Sequence, residues 1–535
     1  MTVTSATARA PASVERNAAL TRGWRPPLWL VLAAALAVLT LVPYAYAHLQ
    51  QPPGRTFMGF FFLADDANTY LAKMRQGWEG SWVWTNRYTT ESSPPVYFFV
   101  YWLALGHLAA FLHLPLLATF HLARVAGAFL LLWAGWTFIG RFVTTEPARR
   151  FAIWFMGVGL GFGVIIWAIG SPYFLGQKTE ALDLRMPEVT AFYSILALPH
   201  FAWAAAFQAL AAVLTLRAAE RGSFGIGALA GLCWLGEASI HPQMPILVGS
   251  ALGAALLYRR VSARGYLAAA LAMAMVAPYI AYSYFAFLGN PEVTRWSAQW
   301  RNNFAPDVLS LGVALLPQLA LAALWLPRML RRRSRDDIFL LAWLLFLAVI
   351  LWLPNPAGNL RRRFFDGVYM PLVVMAANGM YEVLLPRLRS VRPRRLLAFT
   401  WVVVAALMAP YLDVAPILAS DNPAYSVRTA DYHALLWMAD RPRGAVLSTP
   451  EIGLLVPAYT PDTVYVGQYS ETYNAAAKAT EVAALYAGDS DITAFAAQHH
   501  IRYVIWSPAV TPLAPPASLG TAAFSENGTF VFQLY

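Results

Sequence analysis

FFLADDANTYLAKMRQGWEGSW, residues 61–82, sets two adjacent carboxylates, Asp65 and Asp66, just beyond an apolar segment. In a helix, Asp66, Tyr70 and Lys73 share one face, because side chains three and four residues apart are neighbours. Two carboxylates at a membrane edge cost free energy unless they are solvated, paired or bound to a metal. A carboxylate shielded from water has a raised pKa and can act as a general base. The alternative is a solvated acidic loop without a chemical role.

The sequence around this stretch is strongly apolar, with 59% hydrophobic and 13% charged residues among 535. Soluble proteins have about 45–50% apolar and about 25% charged residues. The apolar residues come in blocks of about 17–25, long enough to cross about 30 Å of hydrocarbon. The composition therefore predicts a polytopic α-helical membrane protein. The net charge of +11 does not indicate a nucleic-acid partner, because the arginines form short clusters between apolar blocks, as in cytoplasmic loops.

The order of these basic clusters predicts the topology. If all of them are cytoplasmic, the spans between them come in pairs, and the chain has about 11–13 transmembrane helices. The block at 95–112 breaks the pairing, and we interpret it as a re-entrant or interfacial helix. The clusters begin at Arg9, Arg141, Arg217, Arg259, Arg328 and Arg387.

The predicted topology divides the chain into three parts. Residues 1–26 form a cytoplasmic N-terminal tail, and residues 27–412 form a transmembrane domain whose first outer loop is 48–94. Residues 413–535 form a small α/β domain outside the membrane, with eleven Asp and Glu against five Lys and Arg. Its β-like runs at 444–449, 463–467, 502–507 and 528–535 alternate with helical patches and Pro/Gly turns.

Three consecutive arginines, Arg361, Arg362 and Arg363, form a second polar feature. The topology places them outside, against the positive-inside trend, so they need another reason. Arginine binds phosphate in a bidentate manner, and a cluster beside the bilayer suits a lipid phosphate. The alternatives are binding of ordinary anionic headgroups and an error in the topology.

Two histidines at predicted span ends, His200 and His241, are candidates for a sugar contact or a metal ligand. Asp65, Asp66 and His241 are the candidate ligands of a divalent ion, Mg²⁺ or Mn²⁺, but their spacing matches no clear metal motif. Histidines at such places also simply end helices. The sequence contains no G-x-x-x-x-G-K-[ST] loop, so it gives no support for nucleotide binding.

These features resemble the GT-C superfamily of membrane glycosyltransferases, which includes the protein O-mannosyltransferases and the bacterial lipid A aminoarabinose transferases. The resemblance covers nearly the whole chain in layout, but the D-x-D form of some relatives is missing, which leaves metal dependence open. The residues that carry it are Asp65-Asp66, Tyr70, Ala72-Lys73, Gly80-Ser81-Trp82, Pro94-Pro95-Val96, Arg124 and the segment RRRFF at 361–365.

The resemblance implies a polyprenyl-phosphate-linked sugar as donor and a hydroxyl of a lipid, glycan or protein as acceptor. It implies a site on the outer face of a bacterial inner or plasma membrane, with an inverting reaction. Asp66 would be the general base, with Asp65 as the fallback. The implied substrate-binding residues are Arg361, Arg362, Arg363, Tyr70, Lys73, His200 and His241.

Two other functions remain open at this point. A transporter or lipid flippase places its charged residues near the bilayer centre, whereas the candidates here cluster at the predicted outer ends of spans. A non-catalytic membrane scaffold that binds a partner through its C-terminal domain has no use for Asp66.

Overall fold

The computed structural model describes residues 26–535, except 172, 175–176, 299–304, 354–357, 407 and 420–424. The predicted cytoplasmic tail 1–26 lies outside the described residues, apart from residue 26. The predicted topology also places the segments 289–304 and 354–365 on the outer side of the membrane. Parts of these two segments are not among the described residues.

Helices make up most of the chain up to residue 418. Short 3₁₀-helices cover Leu182–Leu184, Pro187–Val189, Gly358–Phe365 and Leu385–Arg387, and a π-helix covers Gly379–Leu384. The α-helices are α1 Leu28–Leu49, α2 Ala64–Trp78, α3 Val100–Leu112, α4 Leu116–Phe142, α5 Glu146–Val158, α6 Gly163–Ala168, α7 Ala191–Leu196, α8 Pro199–Arg221, α9 Phe224–Ala238, α10 Met244–Tyr258, α11 Ala263–Gly289, α12 Pro291–Ala298, α13 Val308–Ala314, α14 Leu316–Arg332, α15 Arg335–Trp352, α16 Tyr369–Asn378, α17 Val391–Ala406 and α18 Met408–Leu418.

Six helical segments among the described residues are long and apolar enough to cross a membrane. A seventh is added if α13 and α14, which meet at 90°, count as one span. The 22 residues of α1 extend about 33 Å at 1.5 Å per residue, enough for the hydrocarbon core. The polytopic helical class is therefore confirmed. The other spans among the predicted 11–13 fall on helices that are shorter, broken or charged at one end, such as α9, α10 and α15.

The segment 95–112 contains only a short helix, α3, whose 13 residues extend about 20 Å. Two glycines allow α3 to pack directly on α2. A Cβ at Gly77 would lie 2.1 Å from the Leu103 carbonyl oxygen, and one at Gly106 would lie 1.9 Å from the Met74 carbonyl oxygen. This close contact agrees with the interpretation of 95–112 as a helix that does not span the bilayer by itself.

The C-terminal part contains a five-stranded sheet. The order of its strands is β6 (Thr463–Val464), β5 (Ala445–Leu447), β7 (Ile501–Trp506), β9 (Thr529–Gln533) and β8 (Phe524–Glu526). β5 pairs in parallel with β6 and β7, while β9 is antiparallel to β7 and β8. The four runs predicted to be β-like overlap β5, β6, β7 and β9, whereas β8 lies outside them. The small C-terminal sheet domain is confirmed. Its elements are α19 Thr429–Ala439, β5 Ala445–Leu447, α20 Pro450–Gly453, α21 Val456–Tyr459, β6 Thr463–Val464, α22 Ala475–Ala487, α23 Ile492–Gln498, β7 Ile501–Trp506, a 3₁₀-helix Ala517–Leu519, β8 Phe524–Glu526 and β9 Thr529–Gln533.

Two small ladders lie outside this sheet. β1, Arg55–Phe57, in the first predicted outer loop, pairs antiparallel with β4, Ser426–Arg428, which follows the last apolar helix. β2, Tyr173–Phe174, pairs with β3, Gln177–Lys178. The β1–β4 ladder fixes the loop that carries Asp66 against the C-terminal domain.

Candidate functional site

Asp65 and Asp66 occupy the first turn of α2, which begins where the chain turns at Leu63. Leu63 has a left-handed backbone conformation, with φ of 49°, which is uncommon for a residue with a branched side chain. The free backbone N–H groups of a helix N-terminus stabilise negative charge. The side chain of Asp65 is exposed, whereas that of Asp66 is half-buried. The two carboxylates therefore differ in their exposure to solvent.

Arg363 meets the same face of α2. The positive charge of its guanidinium acts on the Tyr70 hydroxyl and opposes the rise in pKa that burial causes there. The Tyr70 ring stacks on Trp102 of α3 with the ring centroids 4.3 Å apart. The 3₁₀-helix Gly358–Phe365, which carries Arg363, therefore lies near this face of α2.

The charges around Asp66 show which side chains share its environment. Burial raises the pKa of the Asp66 carboxyl, and the nearby positive charges of Arg363, Lys73 and Arg362 oppose that rise. The negative charge of Glu188 adds to it. Asp66 and the arginine segment, remote along the chain, thus converge in the fold.

Arg362 and Arg361 differ in their partners. A guanidinium nitrogen of Arg362 lies 3.5 Å from a carboxylate oxygen of Glu188, which is buried in the 3₁₀-helix Pro187–Val189. Arg361 instead donates to the Leu351 carbonyl at 3.4 Å. We call Asp66, Tyr70, Glu188, Arg362 and Arg363 the acid–arginine cluster.

Lys73 is paired with the C-terminal domain. Its ammonium donates to the Glu471 carboxylate at 2.8 Å, and the two side chains are 2% and 8% exposed. The ammonium also lies 4.4 Å from the centre of the Phe99 ring. Its charge is therefore largely neutralised within the protein, and a direct contact between Lys73 and a substrate stays a prediction.

The buried Lys73–Glu471 pair is expected to contribute strongly to stability. Glu471→Gln leaves the Lys73 ammonium buried without a counter-charge, which costs ~3–5 kcal/mol in such pairs. The free energy of unfolding, measured in detergent by denaturant titration, is expected to fall by that amount. The exposed helical pair of Arg150 and Glu146 is the control. Glu146→Gln is expected to lower the free energy of unfolding by only about 0.3–0.5 kcal/mol. Equal effects of the two substitutions would contradict a special role for the buried pair.

Of the two predicted histidines, His200 lies next to Tyr70, and His241 lies next to His200. The ring of His200 is 4.9 Å from that of Tyr70 and 5.5 Å from that of His241. His241 Nδ1 lies 3.0 Å from Asp366 Oδ2. His200, in the first turn of α8, is buried, and within the described part of the chain neither of its ring nitrogens has a hydrogen-bond partner.

His241 also forms a group with two carboxylates, Glu237 and Asp366, whose candidate metal-binding atoms all lie within 4.8 Å of one another. Within the part of the chain that the structure describes, no such group of three includes Asp65 or Asp66. The sequence reasoning missed both carboxylates. The sequence contained a signal for Glu237, because it precedes His241 by four residues. It contained one for Asp366 as well, because Asp366 stands three residues after Arg363.

No protein-family model matches the sequence, and no curated protein is significantly similar to it. The oligosaccharyltransferase of Archaeoglobus fulgidus, tethered with an acceptor peptide, has a TM-score of 0.53 at 13% identity over 90% of this chain and 69% of that chain. The fold is that of the GT-C glycosyltransferases.

Two further GT-C structures are similar to this chain. AglB from Archaeoglobus fulgidus, in complex with an inhibitory peptide and a dolichol-phosphate, has a TM-score of 0.50 at 13% identity over 89% of this chain and 69% of that chain. ArnT from Cupriavidus metallidurans has a TM-score of 0.44 at 12% identity over 90% of this chain and 93% of that chain.

In this GT-C fold, Arg124 ties helices together. It is buried in α4 and donates to the carbonyls of Thr40 in α1, at 2.8 Å, and Ile195 in α7, at 3.2 Å. Its guanidinium also lies 4.2 Å from the centre of the Tyr44 ring. Arg124 therefore has a structural role, because it joins α4 to α1 and α7.

Proposed function

We propose that this protein transfers a sugar from a polyprenyl-phosphate-linked donor to an acceptor hydroxyl at the outer face of the membrane. The observation that carries the proposal is the meeting of Asp66 and Arg363 in the acid–arginine cluster. A proton acceptor and a phosphate-binding cation are the two groups that such a transfer needs, and the fold of membrane glycosyltransferases is the context in which they meet.

The reaction divides between the two groups. Asp66 takes the proton of the acceptor hydroxyl, whose oxygen forms a bond to the anomeric carbon. The bond from that carbon to the phosphate oxygen breaks, and the electron pair leaves with the polyprenyl phosphate. Arg362 and Arg363 stabilise the charge that develops on this leaving group. Direct displacement inverts the anomeric centre.

An apolar groove of about 340 Å³ supports a lipid-linked donor. It is lined by aromatic and aliphatic side chains that include Phe62, Trp167 and Tyr411, together with Arg185. Phe62 lies just before α2, so the groove reaches the segment that carries Asp66. A dolichol-phosphate and an acceptor peptide occur in the oligosaccharyltransferase structures described above, and here the acceptor would be a lipid, glycan or protein hydroxyl.

Transfer assays with the purified full-length protein in proteoliposomes test the proposal. Each of a panel of polyprenyl-phosphate sugars is offered together with candidate acceptors, and release of polyprenyl phosphate is measured. We expect release that depends on both the donor and the acceptor. A transporter or flippase would instead move the intact lipid across the bilayer without release, and a scaffold would do neither.

The pH dependence of transfer reports on Asp66. A general base must be ionised, so the rate falls as the pH drops through its pKa, and the raised pKa places this acid limb above the ordinary range of a carboxyl group. Because the Arg362 charge lowers the pKa of Asp66, Arg362→Gln is expected to move the limb to higher pH. Arg361→Gln is the control, since Arg361 binds the Leu351 carbonyl, and it is expected to leave the limb in place. If Arg362→Gln left the acid limb of the pH profile unchanged, this would contradict the role of Asp66 as the general base.

A further inference from the structure

Glu237, His241 and Asp366 bring two carboxylates and an imidazole together in a buried place next to the acid–arginine cluster. Glu237 and Asp366 are each 0% exposed, and His241 is 6% exposed. Glu237 lies in the last turn of α9, and the His241 backbone N–H donates to the Glu237 carbonyl at 2.8 Å, so the two residues are one helical turn apart. Asp366 directly follows the 3₁₀-helix that carries Arg363.

The polar atoms of this group lack the partners that burial requires. Among the residues that the structure describes, neither carboxylate oxygen of Glu237 has a hydrogen-bond partner, and Asp366 Oδ1 has none either. A buried carboxylate without a partner is costly, because it loses its hydration and gains nothing in return. The one imidazole, which lies against Asp366, does not satisfy both acids. The arrangement needs a further positive charge.

We propose that Glu237, His241 and Asp366 together bind one divalent transition-metal ion, Zn²⁺ or Mn²⁺. An imidazole nitrogen with carboxylate oxygens is a donor set that suits these ions. The candidate ligand atoms already lie within 4.8 Å of one another. The ring of His200 is 5.5 Å from that of His241, and its two nitrogens have no partner among the described residues, so His200 is a candidate fourth ligand.

The bound ion would act as a positioning element. It links the end of α9 to Asp366, three residues from Arg363, and so fixes the short helix that carries the guanidinium. This consequence rests on the function proposed above, whereas the binding of the ion does not. Neither carboxylate comes from the acid pair in the first loop.

Metal uptake tests the inference without any sugar donor. The full-length protein in nanodiscs is stripped with a chelator, titrated separately with Zn²⁺ and Mn²⁺, and desalted, and the bound metal is measured by mass spectrometry together with the thermal unfolding midpoint. We expect one equivalent of one ion to be retained and the midpoint to rise with its concentration. Glu237→Gln keeps the size of the side chain and is expected to weaken binding by more than about 100-fold, since loss of an outer-shell partner alone costs 10–100-fold.

Two further variants make the outcome decisive. Asp183→Asn is the control, because Asp183 is buried but accepts a hydrogen bond from the Gly163 N–H, and it is expected to bind metal as the unmodified protein does. His241→Ala is expected to lose the ion as well. If His241→Ala fails to fold, the result for Glu237→Gln decides whether the inference holds. Retention of no metal would overturn the inference and indicate a protonated carboxyl pair. Equal retention by Glu237→Gln would also overturn it, because the ion would then be bound elsewhere. Because no donor is present, such a failure is distinct from failure of the glycosyl transfer.

Discussion

Asp66→Asn is expected to lower the rate of sugar transfer by about 10²–10⁴-fold, the range that general-base catalysis contributes. Asparagine keeps the size of the side chain and the helical first turn but cannot take a proton. The loss should appear in kcat, with the donor KM nearly unchanged, because the base acts in the transition state. Initial rates at saturating donor, with release of polyprenyl phosphate as the readout, measure it.

Asp65→Asn is the matched control for this prediction. Asp65 is the neighbouring carboxylate in the same helical turn, and its side chain is exposed, whereas Asp66 is acted on by three positive charges. We expect the Asp65 variant to keep most of the activity. The reverse pattern would assign the base to Asp65, and full activity in both variants would remove this helix from the chemistry. The elution profile and unfolding midpoint of each variant show whether folding is intact.

Arg363→Gln is expected to reduce kcat/KM by about 10²–10³-fold, the usual effect of removing one group that stabilises developing negative charge. Its guanidinium charge acts on both Asp66 and the Tyr70 hydroxyl, so the substitution removes a positive charge from the surroundings of both groups. Arg363→Lys is expected to recover only part of the loss, because a point charge does not reproduce bidentate binding.

Arg361→Gln again serves as the control, because the charge removed is the same and the position differs by two residues. Arg361 binds the Leu351 carbonyl, away from the contacts of Asp66. If Arg361→Gln were as damaging as Arg363→Gln, the effect would come from the total charge of the segment. Full activity of Arg363→Gln would exclude the proposed contact with the donor phosphate.

Much of the fold was readable from local sequence. The apolar blocks predicted the membrane-spanning class, because the length of a span follows from the thickness of the hydrocarbon core. Alternating runs in the C-terminal part predicted its strands, because side chains alternate across a strand. The spacing of Asp66 and Tyr70 placed them on one helical face. These features depend on neighbours along the chain. The number of full-length spans was less readable, since α3, α9 and α10 are apolar but short.

What the sequence by itself determined was the membrane class, the C-terminal sheet domain and the two halves of the candidate site, an acid on one helix and arginines on a distant segment. Only the tertiary structure decided that Arg363 rather than Arg361 meets Tyr70, that Lys73 is neutralised by Glu471, and that His241 joins Glu237 and Asp366. The reason is physical. Helical periodicity acts over three or four residues, whereas the approach of Arg363 to Asp66 depends on how whole helices pack.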